Sequence, residues 1–166
     1  MNPIVEIKNL SKSYGQLKAL DNVNLGINSG RIVGLIGPNG SGKSTMIRAL
    51  TGLIEYKGSI SILGTEPKKS RSDLMKDVGV IHDIPVIPPW MKVKQAMEFQ
   101  SEIHPQFDLE KFKKQLSKTS IKLNQKVSTL SKGMKTQLHL AMVLSTESKF
   151  LVLDEPTHGL DILFRK

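Results

Sequence analysis

The stretch Gly37-Pro38-Asn39-Gly40-Ser41-Gly42-Lys43-Ser44-Thr45 combines the residue types that binding a polyphosphate requires: glycines, one lysine and hydroxyl side chains. Gly37, Gly40 and Gly42 lack a β-carbon, so the loop can curl until successive N–H groups point inward and an oxyanion reaches the main chain. Lys43 supplies a mobile ammonium for the β and γ phosphates of a nucleotide, and Ser44 a hydroxyl for Mg²⁺. The apolar run Ile32 to Ile36 before the loop predicts a strand buried on both faces of a parallel sheet. Helix formers after it bring the positive end of a helix dipole to Lys43. With glycine at about 7% average usage, the spacing G-x-x-x-x-G-K-[ST] arises by chance in fewer than about one chain in a hundred of this length. A flexible turn without a ligand is therefore the weaker reading.

Two further segments carry chemistry. Phe150 to Pro156, FLVLDEP, is an apolar strand ending in two carboxylates. Acidic residues commonly follow strands, and alone this would be a solvated strand end. Downstream of a phosphate loop, Asp154 is suited to hold Mg²⁺ directly or through water, and Glu155 to polarise an attacking water as general base. Leu130 to Met134, LSKGM, opens a helix-forming stretch. Ser131 reads either as an N-cap or, with Gly133, as a second helix terminus that offers N–H groups and a hydroxyl to an anion.

The elements that must position these residues follow from periodicity. Ile4, Val5 and Ile7 suggest a first strand, and the alternation of Val23, Leu25 and Ile27 a second. Ser59 to Leu63 alternates between two glycines, and Val78 to Ile81 is a short apolar strand after a helix near Asp73 to Lys76. From Met91 to Ser145 helix formers dominate, as in a helical insertion, and Met134, Leu138, Ala141 and Met142 form a stripe read as core. Phe150 to Leu153 returns to strand.

The 166 residues make one domain's worth of chain, 39% apolar, without a run long enough to cross a bilayer and without a signal-peptide pattern at the start; a cytosolic location is the expectation. The absence of cysteine excludes disulfides, thiolate metal sites and cysteine nucleophiles. Twenty-four Lys and Arg against 15 Asp and Glu give a net charge of +9, but the basic residues are scattered apart from Lys68 to Arg71 and Lys111 to Lys114, so a solvated basic surface competes with a specific anionic partner.

In this order the three segments resemble the ATP-binding subunit of ABC transporters, closest in character to bacterial drug and bacitracin-type exporters. GPNGSGKST matches the family's Walker A, LSKGM its signature, FLVLDEP its Walker B, and His158-Gly159-Leu160-Asp161 its D-loop; Tyr14 matches the aromatic that stacks on adenine. The resemblance implies an α/β fold: a P-loop NTPase core sheet with an N-terminal antiparallel β subdomain and a helical insertion. Residues 1–90 and 146–166 would form the ATP-binding core, and 91–145 the helical subdomain. It implies ATP and Mg²⁺ as ligands, a second ATPase subunit packed head to tail, and a transmembrane permease that places the pair at the inner face of the membrane. Gly37, Asn39, Gly40, Ser41, Gly42, Lys43, Ser44 and Thr45 would hold one nucleotide, while Ser131 and Gly133 would serve the partner's.

Three departures from the family pattern stand out. Asp83, beside His82, occupies the place where the family carries a γ-phosphate-sensing Gln; a carboxylate can still ligate Mg²⁺ but cannot donate an amide hydrogen bond. The signature has Lys132 and Met134 where Gly and Gln are commonest, a departure that exporter-like members tolerate. Finally, no His follows His158, where the family continues into a strand bearing a switch histidine, so the sequence reads as an incomplete chain. The loop Pro85 to Trp90 either covers the core or meets the membrane subunit. Two alternatives to a transport ATPase are a soluble ABC-type ATPase acting on nucleic acid or ribosomes and a catalytically degenerate nucleotide-binding subunit.

Overall fold

A computed structural model describes residues 3–81 and 87–154, which fall into two compact units, Met1–Met75 and Lys76–Lys166. In the first unit, β1 (Val5–Tyr14) pairs antiparallel with β2 (Leu17–Ile27) on one edge and β3 (Lys57–Ile62) on the other. The register sets Val5 opposite Ile27 and Ile62, and Ile7 opposite Leu25 and Ile60. Val5, Ile7, Ile60 and Ile62 are buried at alternating positions, and Leu10, beyond a register shift after Ile7, is buried as well. The β1–β2 ladder is bulged. Asn9 and Asn22 take positive φ, which asparagine tolerates, and their N–H groups donate to Asn24 Oδ1 and Ser11 Oγ, each at 2.9 Å. Helix α1 (Lys43–Leu50) buries Met46, Ala49 and Leu50.

One expectation fails here. Ile32 to Ile36 forms no strand: residues 31–38 lack regular structure, and Ile32 and Ile36 are 104% and 94% exposed. An apolar, β-prone run becomes a strand only when a neighbour supplies the other half of a ladder, and none of the described residues does so.

The Lys68–Arg71 basic cluster is used up locally. After β3, the Lys68 ammonium lies 3.9 Å from the Tyr56 ring centroid, donates to Tyr56 O at 2.6 Å and pairs with Glu55 at 3.2 Å. Lys69 pairs with Glu66 at 2.9 Å, and Arg71, which opens α2 (Arg71–Leu74), donates to Thr51 O. Burial, with Glu66 and Glu55 nearby, pushes the Tyr56 phenol up to about 12.

In the second unit, β4 (Val78–Ile81) and β5 (Phe150–Leu153) form a parallel ladder, Val78 opposite Phe150 through Ile81 opposite Leu153. The segment between them is helical: α3 (Val93–Ile103), α4 (Leu109–Leu116), a 3₁₀ turn at Val127–Thr129 and α5 (Lys132–Leu144). Val93, Ala96, Met97, Phe112, Leu116, Leu138, Ala141 and Met142 share one core, so the expected stripe on α5 is buried, with Met134 packed at its margin. Asp108 caps α4, its carboxylate accepting from Lys111 N–H at 2.8 Å. Among the described residues no helix is long and apolar enough to cross a membrane.

Candidate nucleotide site

The 37–45 loop is shaped by its glycines. Gly40 and Gly42 adopt φ of +83° and +91°, and Gly42 is the N-cap of α1. A β-carbon on Gly42 would lie 2.3 Å from Ala19 O of β2, so backbone alone fits where the loop meets the sheet. No side chain caps α1, and the first intrahelical bond runs from Met46 N–H to Gly42 O at 2.8 Å. The amides of Lys43, Ser44 and Thr45 therefore precede the first helical bond and face the dipole's positive end outward.

Lys43 folds back over the loop, donating to Gly37 O at 2.7 Å and Pro38 O at 2.9 Å. An ammonium has three protons, so this fixes the charge above the loop and leaves one donor for a phosphate oxygen. Ser44 is exposed one residue on, its hydroxyl accessible for an oxygen-coordinated cation. Tyr14 ends β1 opposite Leu17 and is 45% exposed. Lys12 Nζ sits 5.1 Å from its ring centroid, a cation on the aromatic face that the sequence reading missed. The i,i+2 spacing of Lys12 and Tyr14 on one strand was the available signal.

In the second unit Ser131 is the N-cap of α5, its Oγ accepting from Met134 N–H at 3.2 Å. That bond uses one lone pair of the hydroxyl; the O–H proton stays available to an anion, so capping and phosphate binding are compatible. Gly133 lies in the same first turn. Asp154 follows β5, and its N–H donates to Ile81 O at 2.8 Å, which sets it at the carboxyl edge of the parallel ladder beside the end of β4. Gly79 of β4 lets α5 and β5 close in: a β-carbon there would be 2.7 Å from Val143 Cγ1 and 2.6 Å from Leu151 Cδ2. His82, Asp83, Glu155 and the 158–161 segment lie outside the described residues, as do Pro85 and Val86. The rest of the 85–90 loop splits: Ile87 packs on the helical core, while Trp90 is 68% exposed. Among its described residues the loop thus covers the core through Ile87 and leaves the Trp90 side chain exposed.

The ABC transporter family model matches residues 20–158. This chain belongs to the ABC transporter family. It is 39% identical over 163 residues to the lantibiotic transport ATP-binding protein SrtF of Streptococcus pyogenes, covering 95% of this chain and 69% of that one. It is 33% identical over 162 residues to the uncharacterized ABC transporter ATP-binding protein YdbJ of Bacillus subtilis, covering 96% of this chain and 53% of that protein. The chain thus spans about half to two thirds of the length of these relatives. Among solved structures, one described as the ATP binding subunit of an ABC transporter superposes with a TM-score of 0.86 at 27% identity, covering 96% of this chain and 69% of that one. The P-loop α/β fold with an antiparallel β part and a helical insertion is therefore that of ABC ATPase subunits.

The family binds nucleotide, and magnesium travels with it. No group of three or more His, Cys, Asp or Glu side chains among the described residues could cage a metal. Mg²⁺ on a triphosphate needs only one or two protein oxygens, and Ser44 and Asp154 are of that type.

Proposed function

We propose that this chain binds MgATP and, with a second ATPase subunit packed head to tail, hydrolyses it to drive export through a partner permease at the inner face of the cell membrane. Tyr14 stacks on adenine, and Gly37, Asn39, Gly40, Ser41, Gly42, Lys43 and Thr45 hold the phosphates. Ser44 and Asp154, with Asp83 as a further carboxylate, hold the metal, which when bound neutralises charge between the β and γ phosphates. Glu155 takes a proton from the attacking water as its oxygen bonds the γ-phosphorus and the bond to the bridging oxygen breaks. Ser131 and Gly133 address the partner's nucleotide, so a lone subunit binds ATP and turns it over poorly.

The observation that carries the reading is the Lys43 ammonium pinned by Gly37 O and Pro38 O above an uncapped helix start. Similarity to a protein named for lantibiotic transport supports a transport role. Isothermal titration with MgATP tests the core claim: the parent gives saturable heat, and Lys43→Ala loses about 2 kcal/mol of affinity, near thirtyfold, as a charge-assisted hydrogen bond is removed. Equal affinities would sink it. For the chemistry, single-turnover assays on Glu155→Gln should show a slowed step with binding retained.

A further inference from the structure

We propose that Asn39 is a self-modifying site: its side-chain amide condenses with the Gly40 nitrogen, and the aspartate or isoaspartate that follows closes the 37–45 loop to anions unless a nucleotide is already bound. The second half rests on the nucleotide reading above; the first half does not.

The chemistry needs a free main-chain nitrogen, an open path to it and a side-chain amide that nothing holds. Ser41 N–H donates to Pro38 O at 3.2 Å, so Asn39 and Gly40 are the central pair of a tight turn. Of its four residues Gly40 alone has positive φ, +83°, the pattern of a type II turn. Among the described residues neither the Gly40 N–H nor the Asn39 side chain makes a hydrogen bond. Both residues are exposed, and a β-carbon on Gly40 would meet nothing within 4 Å. Other asparagines lack this combination. Asn9, Asn22 and Asn24 precede Leu10, Val23 and Leu25, whose branched side chains crowd the attacking nitrogen. The Asn24 amide is also tied at both ends, accepting from Asn9 N–H at 2.9 Å and donating to Asn22 O at 3.0 Å. Asn28 is exposed but is followed by Ser29.

The reaction needs water and no oxidant. The Gly40 nitrogen bonds Asn39 Cγ, the Cγ–Nδ2 bond breaks, and the Gly40 amide proton leaves with the departing ammonia. Water then opens the cyclic imide. Addition at Cγ gives aspartate; addition at the Asn39 carbonyl carbon gives isoaspartate, with the main chain rerouted through Cβ. Either product sets a carboxylate beside Pro38, whose carbonyl holds the Lys43 ammonium, and competes with phosphate for that charge. A phosphate bound in the loop takes the Gly40 N–H and so withdraws the nucleophile.

The 166-residue chain is aged in mildly alkaline buffer with and without MgATP, and its tryptic peptides are followed by mass spectrometry. Peptide 32–43 contains Asn39 alone, while peptide 19–31 contains Asn22, Asn24 and Asn28 as internal references. Asn39 should convert from amide to acid about tenfold faster than any of these, yielding two acid forms that chromatography separates. Saturating MgATP should slow the conversion about tenfold, and magnesium chloride alone should not. Asn39→Gln, whose longer side chain closes the ring poorly, should stay unmodified. Calorimetry on the aged chain should show MgATP heat falling in step with the converted fraction, while far-UV circular dichroism shows the fold retained. An Asn39 that converts no faster than Asn28 would overturn the proposal. Conversion that MgATP does not slow, or a converted, folded chain that takes MgATP as the fresh one does, would overturn its second half. A fresh chain that gives no MgATP heat while Asn39 still converts would sink the nucleotide reading and leave the modification site standing.

Discussion

The two helix starts to which the proposed function gives the anion chemistry are built by opposite means. At α1 the start is made of backbone: Gly42 in a left-handed conformation, no capping side chain, and a lysine tied to loop carbonyls above it. At α5 it is made of a side chain, Ser131, which satisfies Met134 N–H itself. A start without a cap leaves its amides for a ligand and depends on a glycine that nothing can replace. A capped start is stable alone and offers a ligand only the remaining hydroxyl proton.

Substitutions can break this contrast, beginning with the glycine. Gly42→Ala places a methyl group against Ala19 O at positive φ and should cost about 3 kcal/mol or more, with MgATP heat lost as well; urea unfolding and calorimetry measure the two. Lys43→Ala should remove the roughly 2 kcal/mol of MgATP affinity and, with its bonds to Gly37 O and Pro38 O lost, lower the unfolding midpoint by far less than Gly42→Ala does. Ser131→Ala should cost about 1 kcal/mol of stability, whereas Ser131→Asn keeps the cap. If Ser131 serves the neighbour's nucleotide, turnover in the assembled pair falls in both variants; if it only caps, the asparagine form is normal.

The smallest effect distinguishes the two units by acid. The Lys149 ammonium, 3.0 Å from Asp77, holds that carboxyl below its usual value, against the opposing effect of burial and with help from Gln106. A depressed folded value contributes stability that is present above the unfolded pKa of 3.8 and lost as pH falls through the folded one. Asp77→Asn should therefore cost under about 1 kcal/mol near neutrality, and the difference from the parent should vanish in acid. Denaturant titrations across that range check it.

Where sequence reading succeeded and where it failed can be seen in two apolar runs. Val78 to Ile81 and Ile32 to Ile36 look alike as sequence, and both suggested apolar strands. The first has Phe150 to Leu153 in register beside it; the second is bare. Local composition states what a segment tolerates, while a ladder needs a second segment that composition cannot name. The Ser131 cap and the helix stripe were legible because they are local: Ser131 reaches Met134 three residues on. Gly37, Gly40, Gly42, Lys43 and Ser44 were legible for the same reason. The Lys12–Tyr14 stack was missed because it needed the strand face.

Gly79 has a mechanical side. With Val143 and Leu151 standing where its side chain would be, the helix that Ser131 caps rests on the same few atoms as the strand that ends at Leu153, with no cushion between them. Interiors this tight are stiff, so a push at one end of the stack is felt at the other instead of being absorbed between. Adding a single methyl group at position 79 would pry the assembly apart at its pivot, dulling that transmission before it melted the unit.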